Sequence, residues 1–174
     1  PMPTIRDIKS RMKAVSNIKR ITKTMQMIAT ARFQASQKRA VQARPYTQKI
    51  GQLVEQLAAA SGSVTHPLLA PPPESPGREL MLVLTSDRGL CGGYNANILR
   101  TAWKEREQVL EDRELELEVV GKKGKGYFKF NRVPVDTQHT QFGEKPAYPD
   151  VEALADRYIN DYLQGKYDRV RVVY

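Results

Sequence analysis

From Thr4 to about Ala60 the sequence sustains a single helical pattern, and no other feature narrows the possible folds so far. Apolar residues recur at Ile5, Ile8, Met12, Val15, Ile18, Ile21, Met25 and Ile28. The steps are three or four residues, as one face of a helix requires, and their mean, about 3.3, is close to that of a coiled-coil seam. There is no glycine before Gly51. Thr4 can cap the start, with Asp7 in the first turn, where the helix dipole favours an acid. Pro45 is the one breaker and predicts a kink or break near Arg44. A helix of this reach runs on the order of 80 Å at the standard rise. That length belongs to a coiled coil or helical stalk. The narrow stripe is read as the seam of an antiparallel coiled coil. Without a partner helix the segment is expected to fray or self-associate, because isolated helicity is marginal in water.

The same segment holds all the excess positive charge. The chain has a net charge of +9 from 28 Lys and Arg against 19 Asp and Glu. Up to Lys49 there are twelve bases and a single acid, Asp7, so the remainder is slightly acidic. Arg6, Lys9, Arg11, Lys13, Lys19, Arg20, Lys23 and Arg32 form a basic stripe. Such asymmetry implies a polyanionic partner: nucleic acid, anionic lipid or an acidic protein surface. The plain alternative is a solvated helix face. A basic nucleic-acid-binding α/β protein would need groove-reading or stacking chemistry, yet the segment has no aromatic residue before Phe33 and no recognition module. No run approaches the roughly 18 apolar residues that span a bilayer, and the N-terminus lacks the apolar core of a secretory signal. Cys91 is the single cysteine, which excludes an internal disulfide and a Cys-rich metal site and suits a reducing compartment.

Ser61 to Gly77 contains Pro67, Pro71, Pro72, Pro73 and Pro76, the composition of a linker. Beyond it the period changes. Glu79 to Thr85 is a short apolar run, as in a buried parallel strand. Asn95 to about Leu110 reads as a helix and Glu114 to Val120 as a second strand. Lys125 to Phe130 is a short helix or turn, and His139 to Pro149 a loop. Val151 to Gln164 is helical with Gly165 as its stop. Asp168 to Tyr174 is a third strand, with Val170, Val172 and Tyr174 on one face. The expected fold class is α/β: a long N-terminal coiled-coil helix followed by a small Rossmann-like domain with a parallel sheet. Its parts are the stalk helix over residues 1–60, the linker over 61–77 and the α/β domain over 78–174. The sequence stops within a predicted strand, and truncation is the expectation.

The most specific string is Thr85-Ser-Asp-Arg-Gly-Leu-Cys-Gly-Gly-Tyr-Asn-Ala-Asn97, between a strand and a helix. A loop there can present backbone N–H groups to a phosphate. Gly89, Gly92 and Gly93, however, do not give the dinucleotide spacing, and no Gly-Lys-Ser/Thr closes a phosphate loop. The second strand ends in Gly121-Lys-Lys rather than in an acid for a ribose. The structural reading is a tight turn with positive φ at glycines, Asn95 or Asn97 as helix cap, and Asp87 and Arg88 bound to each other or to a neighbour. Cys91, lacking a paired base, is expected to be a buried or half-buried thiol. His66 and His139 lie in expected loops. Trp103 and the tyrosines are read as packing residues. Glu105, Glu107, Glu111, Asp112 and Glu114 form no catalytic pair and read as a solvated face. No catalytic, metal or cofactor-binding residues are assigned.

Ser86-Asp-Arg-Gly-Leu-Cys-Gly-Gly-Tyr-Asn95 resembles the loop of gamma subunits of F-type ATP synthases. Ile18 to Arg32, with Arg44-Pro-Tyr46 beyond it, is similar to that family's N-terminal helix. Val119-Val-Gly-Lys-Lys-Gly124 and Tyr127-Phe-Lys-Phe130 resemble its second strand and the stretch just after that strand. The three regions lie in family order and cover nearly the whole chain. The family's C-terminal helix and its glutamate-rich signature are not in this sequence, nor is the inserted cysteine pair of plant-type redox regulation.

The resemblance implies a central-stalk rotor that is not itself catalytic and couples proton translocation to ATP synthesis and hydrolysis. The implied partners are the alpha and beta subunits, the epsilon subunit and the membrane c-ring. The implied location is peripheral, at the cytoplasmic face of a bacterial cell membrane, with an organellar inner membrane as the alternative. By the same resemblance Arg20, Lys23 and Met25 face acidic loops of the catalytic subunits. Asp87, Arg88, Gly89, Cys91, Gly92 and Gly93 form a structural loop. No cofactor is implied.

Overall fold

The computed structural model describes residues 4–60, 68, 77–143 and 146–174. The chain divides into two compact units, Pro1–Val64 and Thr65–Tyr174. The first is dominated by α1, which runs from Ile5 to Ala60. Its start is a capping box built with aspartate. The Asp7 N–H donates to Thr4 Oγ1 at 3.3 Å, and Asp7 Oδ2 accepts from the Thr4 N–H at 3.0 Å and from its hydroxyl at 2.6 Å. Two otherwise orphaned N–H groups are thereby satisfied. These bonds, the hydroxyl first, hold the Asp7 carboxyl below the usual carboxylate range. Of the kink or break expected near Arg44, a break does not occur: helix continues across Pro45. Proline removes one backbone bond, to the carbonyl four residues back, and the turns on either side carry the helix past that gap. Thr22 and Thr24 fold their hydroxyls onto the carbonyls of Ile18 and Arg20, at 2.8 and 3.1 Å. That is how threonine is accommodated inside a helix. The aliphatic stripe is uncovered, from Ile5 at 75% exposure to Ile28 at 50%. The proline-rich segment lies outside the described residues except for Leu68 and Gly77.

The second unit contains a four-stranded, all-parallel sheet in the order β3-β2-β1-β4. The chain passes through β1 (Arg78–Leu84), α2 (Tyr94–Leu110), β2 (Glu114–Val120), α3 (Lys122–Phe130), β3 (Thr137–His139), α4 (Tyr148–Leu163) and β4 (Arg169–Val173). Central β1 has neighbours on both edges and is buried from Glu79 to Val83, which is why its sequence is a near-continuous apolar run. In α2 the buried residues Ile98, Leu99, Ala102 and Val109 recur at helical spacing. They close with Phe128 of α3 on Met81, Val83, Leu117 and Val119. The chain then reverses direction across the sheet, so α4 covers the opposite face, over Leu80, Leu82 and Tyr167. Right-handed crossovers require this change of face when the strand order turns back.

β3 is a strand the sequence pattern does not show, and its last residue, His139, opens the stretch expected to be loop. The strand is three residues long and pairs with the last residues of β2. The short helix begins at Lys122, three residues earlier than expected. Gly165, with φ of 74°, ends α4 as anticipated. On β4 the side chains alternate as expected, yet of Val170, Val172 and Tyr174 only Val170 is packed, against the Tyr167 cluster. Val172 and Tyr174 are exposed, while Val173 on the other face enters the main core.

Candidate functional site

Arg20, Lys23 and Met25 lie in the N-terminal half of α1 and are all exposed. The helix does not place them on one face. Met25 belongs to the aliphatic stripe, whereas Lys23, two residues away, points about 160° from it at 100° per residue. Arg20 is on the same basic flank as Lys23. Among the described residues neither has a carboxylate partner. This stretch thus offers an aliphatic side and a cationic side, both facing outward.

The glycine loop is braced from inside. Asn95, in the first turn of α2, accepts the Ser86 N–H at 3.0 Å and donates to Ser86 Oγ at 2.8 Å and to Cys91 Sγ at 3.1 Å. The Ser86 hydroxyl donates to the Arg88 carbonyl at 2.5 Å. Neither asparagine caps the helix: Gly93 occupies the cap position without a side-chain bond, because the Asn95 amide is taken up in holding the loop. Positive φ falls at Gly92, 58°, as expected of a glycine, but also at Leu90, 63°. Cys91 is exposed, which overturns the expectation of a buried or half-buried thiol. The inward position of the turn is filled by the Asn95 amide instead.

The loop and the start of α3 are locked together. Asp87 Oδ1 accepts the Lys122 N–H at 3.0 Å, the Ser86 carbonyl accepts that of Lys123 at 3.1 Å, and Thr85 Oγ1 accepts that of Gly124 at 2.8 Å. These are the N–H groups that a phosphate would use at this helix start, and the protein's own oxygens already hold them. Asp87 therefore binds a neighbouring backbone, one of the two expected outcomes. The approach is close enough to demand glycine. A Cβ on Gly121, at φ of 93°, would stand 2.2 Å from the Thr85 carbonyl oxygen, and one on Gly124 would stand 2.6 Å from Val119 Cγ1. This is the physical content of the Gly121-Lys-Lys-Gly124 string.

Two buried carboxylates had no signal in the sequence pattern. Glu118, which faces α4 from β2, has no exposed surface. It accepts from Arg157 Nη2 at 2.8 and 2.6 Å and from the Tyr158 hydroxyl at 2.6 Å, with His139 Nε2 at 2.7 Å. Burial alone would raise its pKa. The bonds from Arg157, Tyr158 and His139, with the Arg157 charge, outweigh burial and hold it below the usual range. Burial, together with the bond to Glu118, keeps the Tyr158 hydroxyl protonated well above the usual tyrosine range. His139 is thus a buried strand residue rather than a loop histidine, while His66 lies outside the described residues. On the other face, Glu79 is bound by Arg171 Nε at 2.6 Å, and Arg171 also pairs with Glu105. Glu105 is therefore half-buried and ion-paired, not part of a solvated face. Residues of like type on neighbouring elements were visible in the sequence, but the pairing of Glu118 with residues about forty positions on was not.

Between α2 and α3 lies a groove lined by Leu99, Arg100, Trp103, Lys104, Lys123 and Tyr127, among others. Trp103 meets Tyr127 edge to face with ring centres 6.2 Å apart, and its Nε1–H donates to Glu107 at 2.8 Å. Trp103 is a packing residue, as expected, but it also forms the groove floor.

A family model described as ATP synthase matches residues 4–174. Curated relatives named ATP synthase gamma chain align over almost the whole chain. The one from Rhodopirellula baltica is 42% identical over 99% of this chain and 58% of its own length. That from Pelotomaculum thermopropionicum is 35% identical over 99% of this chain and 60% of its own length. That from Mycolicibacterium smegmatis is 41% identical over 95% of this chain and 53% of its own length. The chain thus spans somewhat over half the length of the relatives it matches.

Proposed function

This chain belongs to the family of ATP synthase gamma chains, and from that premise we propose that it is the N-terminal part of a central-stalk rotor. The observation that carries this reading is α1: 56 residues of helix with an uncovered aliphatic stripe and a cationic flank. A partner helix laid along the stripe completes a shaft. An acidic ring of catalytic subunits around that shaft meets Arg20 and Lys23 on one side and the Met25 region on the other. Turning the shaft changes which of these surfaces each site meets. Nucleotide affinity at each site then shifts with angle, because a ligand equilibrium follows whichever conformation the shaft favours.

In this reading the chain does no chemistry. Residues 1–60 form the stalk helix, 61–77 the linker and 78–174 the α/β domain. Alpha and beta subunits surround the stalk, with the epsilon subunit and the membrane c-ring at the other end. Among the described residues no helix is long and apolar enough to cross a membrane. The proposed location is the cytoplasmic face of a bacterial membrane, with attachment through the complex.

The test is Met25→Lys in the full-length protein within the assembled complex. The expected result is an intact complex that hydrolyses ATP but pumps fewer protons per ATP into inverted vesicles. Unchanged pumping per ATP would overturn the assignment of this contact.

A further inference from the structure

Within the α/β unit most cations near a strand are neutralised at home. Arg78 pairs with Glu114, Arg113 with Asp168, Arg157 with Glu118, Lys166 with Asp161 and Arg171 with Glu79. The groove between α2 and α3 differs. Arg100, Lys104 and Lys123 stand on its rim, exposed, and among the described residues none has an acidic partner. The single acid lining the groove, Glu107, is hydrogen-bonded to the Trp103 indole. From Gly121 to Val135 there is no acid at all. The floor is apolar: Leu99 is buried, and the half-buried rings of Trp103 and Tyr127 meet edge to face.

We infer that this groove is a docking surface for an acidic segment of a partner polypeptide, one that carries carboxylates for the rim and an aliphatic side chain for the floor. The rim and floor ask for different things, and an acidic apolar peptide supplies both. The three cations are solvated and have no internal acid competing for them among the described residues, so they are free to meet carboxylates from outside. Aromatic rings edged by cations are the composition that interface anchors favour. A polyphosphate or a bare nucleic-acid backbone would satisfy the rim and leave the floor empty. The inference concerns the α/β unit alone and does not depend on the reading of α1.

Trp103 is the only tryptophan in the chain, so the groove carries its own reporter. The experiment titrates the chain with an acetylated peptide of paired glutamates interrupted by leucines and follows tryptophan emission. Control arms use the peptide with glycine for leucine, duplex DNA, and vesicles containing phosphatidylserine. The expected result is a saturable shift with the glutamate–leucine peptide, weakened by salt as rim charges are screened. Arg100→Glu with Lys104→Glu, both exposed and thus neutral for folding, should weaken binding by about tenfold or more, on the scale of interfacial charge reversal. The glycine peptide should bind more weakly. A flat titration, an unchanged affinity in the double variant, or a stronger response to DNA or vesicles than to the peptide would overturn the inference.

Discussion

On the α2–α3 side of the sheet, eleven buried apolar residues close on one another. On the α4 side the buried apolar cluster among the described residues is only Leu80, Leu82 and Tyr167, and α4 itself has no fully buried residue. What holds α4 down is directional: Arg157 and Tyr158 reach to Glu118, and Lys166 and Tyr167 come just beyond its end. The first face is secured by area removed from water, which is tolerant of detail. The second depends on a few bonds to one desolvated carboxylate, whose loss leaves a charge without a partner. Similar layers, built on one sheet, should therefore fail in different ways.

The largest effect is expected on the apolar face. Phe128 is fully buried at the centre of the larger cluster. Phe128→Ala should cost about 3–5 kcal/mol, read from urea unfolding of the chain with Trp103 emission as the probe. A loss below about 1 kcal/mol would mean that this face is not the main core.

The next effect tests the polar face. Glu118→Gln keeps the shape but removes the charge, and should cost about 1.5–3 kcal/mol, the range for hydrogen bonds to charged groups. The two proteins should also diverge with pH. The Glu118 carboxyl is held below its ordinary value of 4.5 in the folded state. Its stabilisation is present above that value and is lost as pH falls through the lower folded value. The gap between wild type and Glu118→Gln should accordingly be widest near neutrality and narrow below about pH 4.5. A gap that stays constant down to the end of that window would show that charge is not what seats α4.

The smallest effect concerns β4. Val170 and Val172 point the same way, but only the first is covered. Val172→Thr should change stability by less than about 0.5 kcal/mol, and Val170→Thr by clearly more, in the same urea assay. Equal losses at the two positions would imply that something beyond α4 covers this edge.

The contrast between the faces also marks which parts of the molecule were legible in the sequence. Apolar runs and periods placed α1, β1, α2, β2 and α4 to within a few residues, because hydrophobic spacing is local information. β3 has no such spacing: Thr137, Gln138 and His139 become a strand only because β2 offers an open edge and Glu118 a partner. Glu118 itself sits in a strand whose alternation was visible, but its burial depends on Arg157 and Tyr158. The exposure of Cys91 turned on which side chain fills a turn, which composition does not determine. Family membership was legible from three ordered stretches. The groove was not, since Trp103 and Tyr127 meet only when two helices lie side by side.

The aliphatic stripe of α1 has one more property. From Ile5 to Ile28 it advances 23 residues. At 100° each this falls short of seven whole turns by about 220°. The stripe is therefore a left-handed thread winding more than half-way round the helix. A stationary observer at one height sees hydrocarbon and at another sees lysine and arginine. Rotate the helix, and the height at which hydrocarbon faces that observer moves along the axis. The helix is in this sense a cam: its angle is written along its length, and neighbours fixed at different heights or azimuths read different values from the same object.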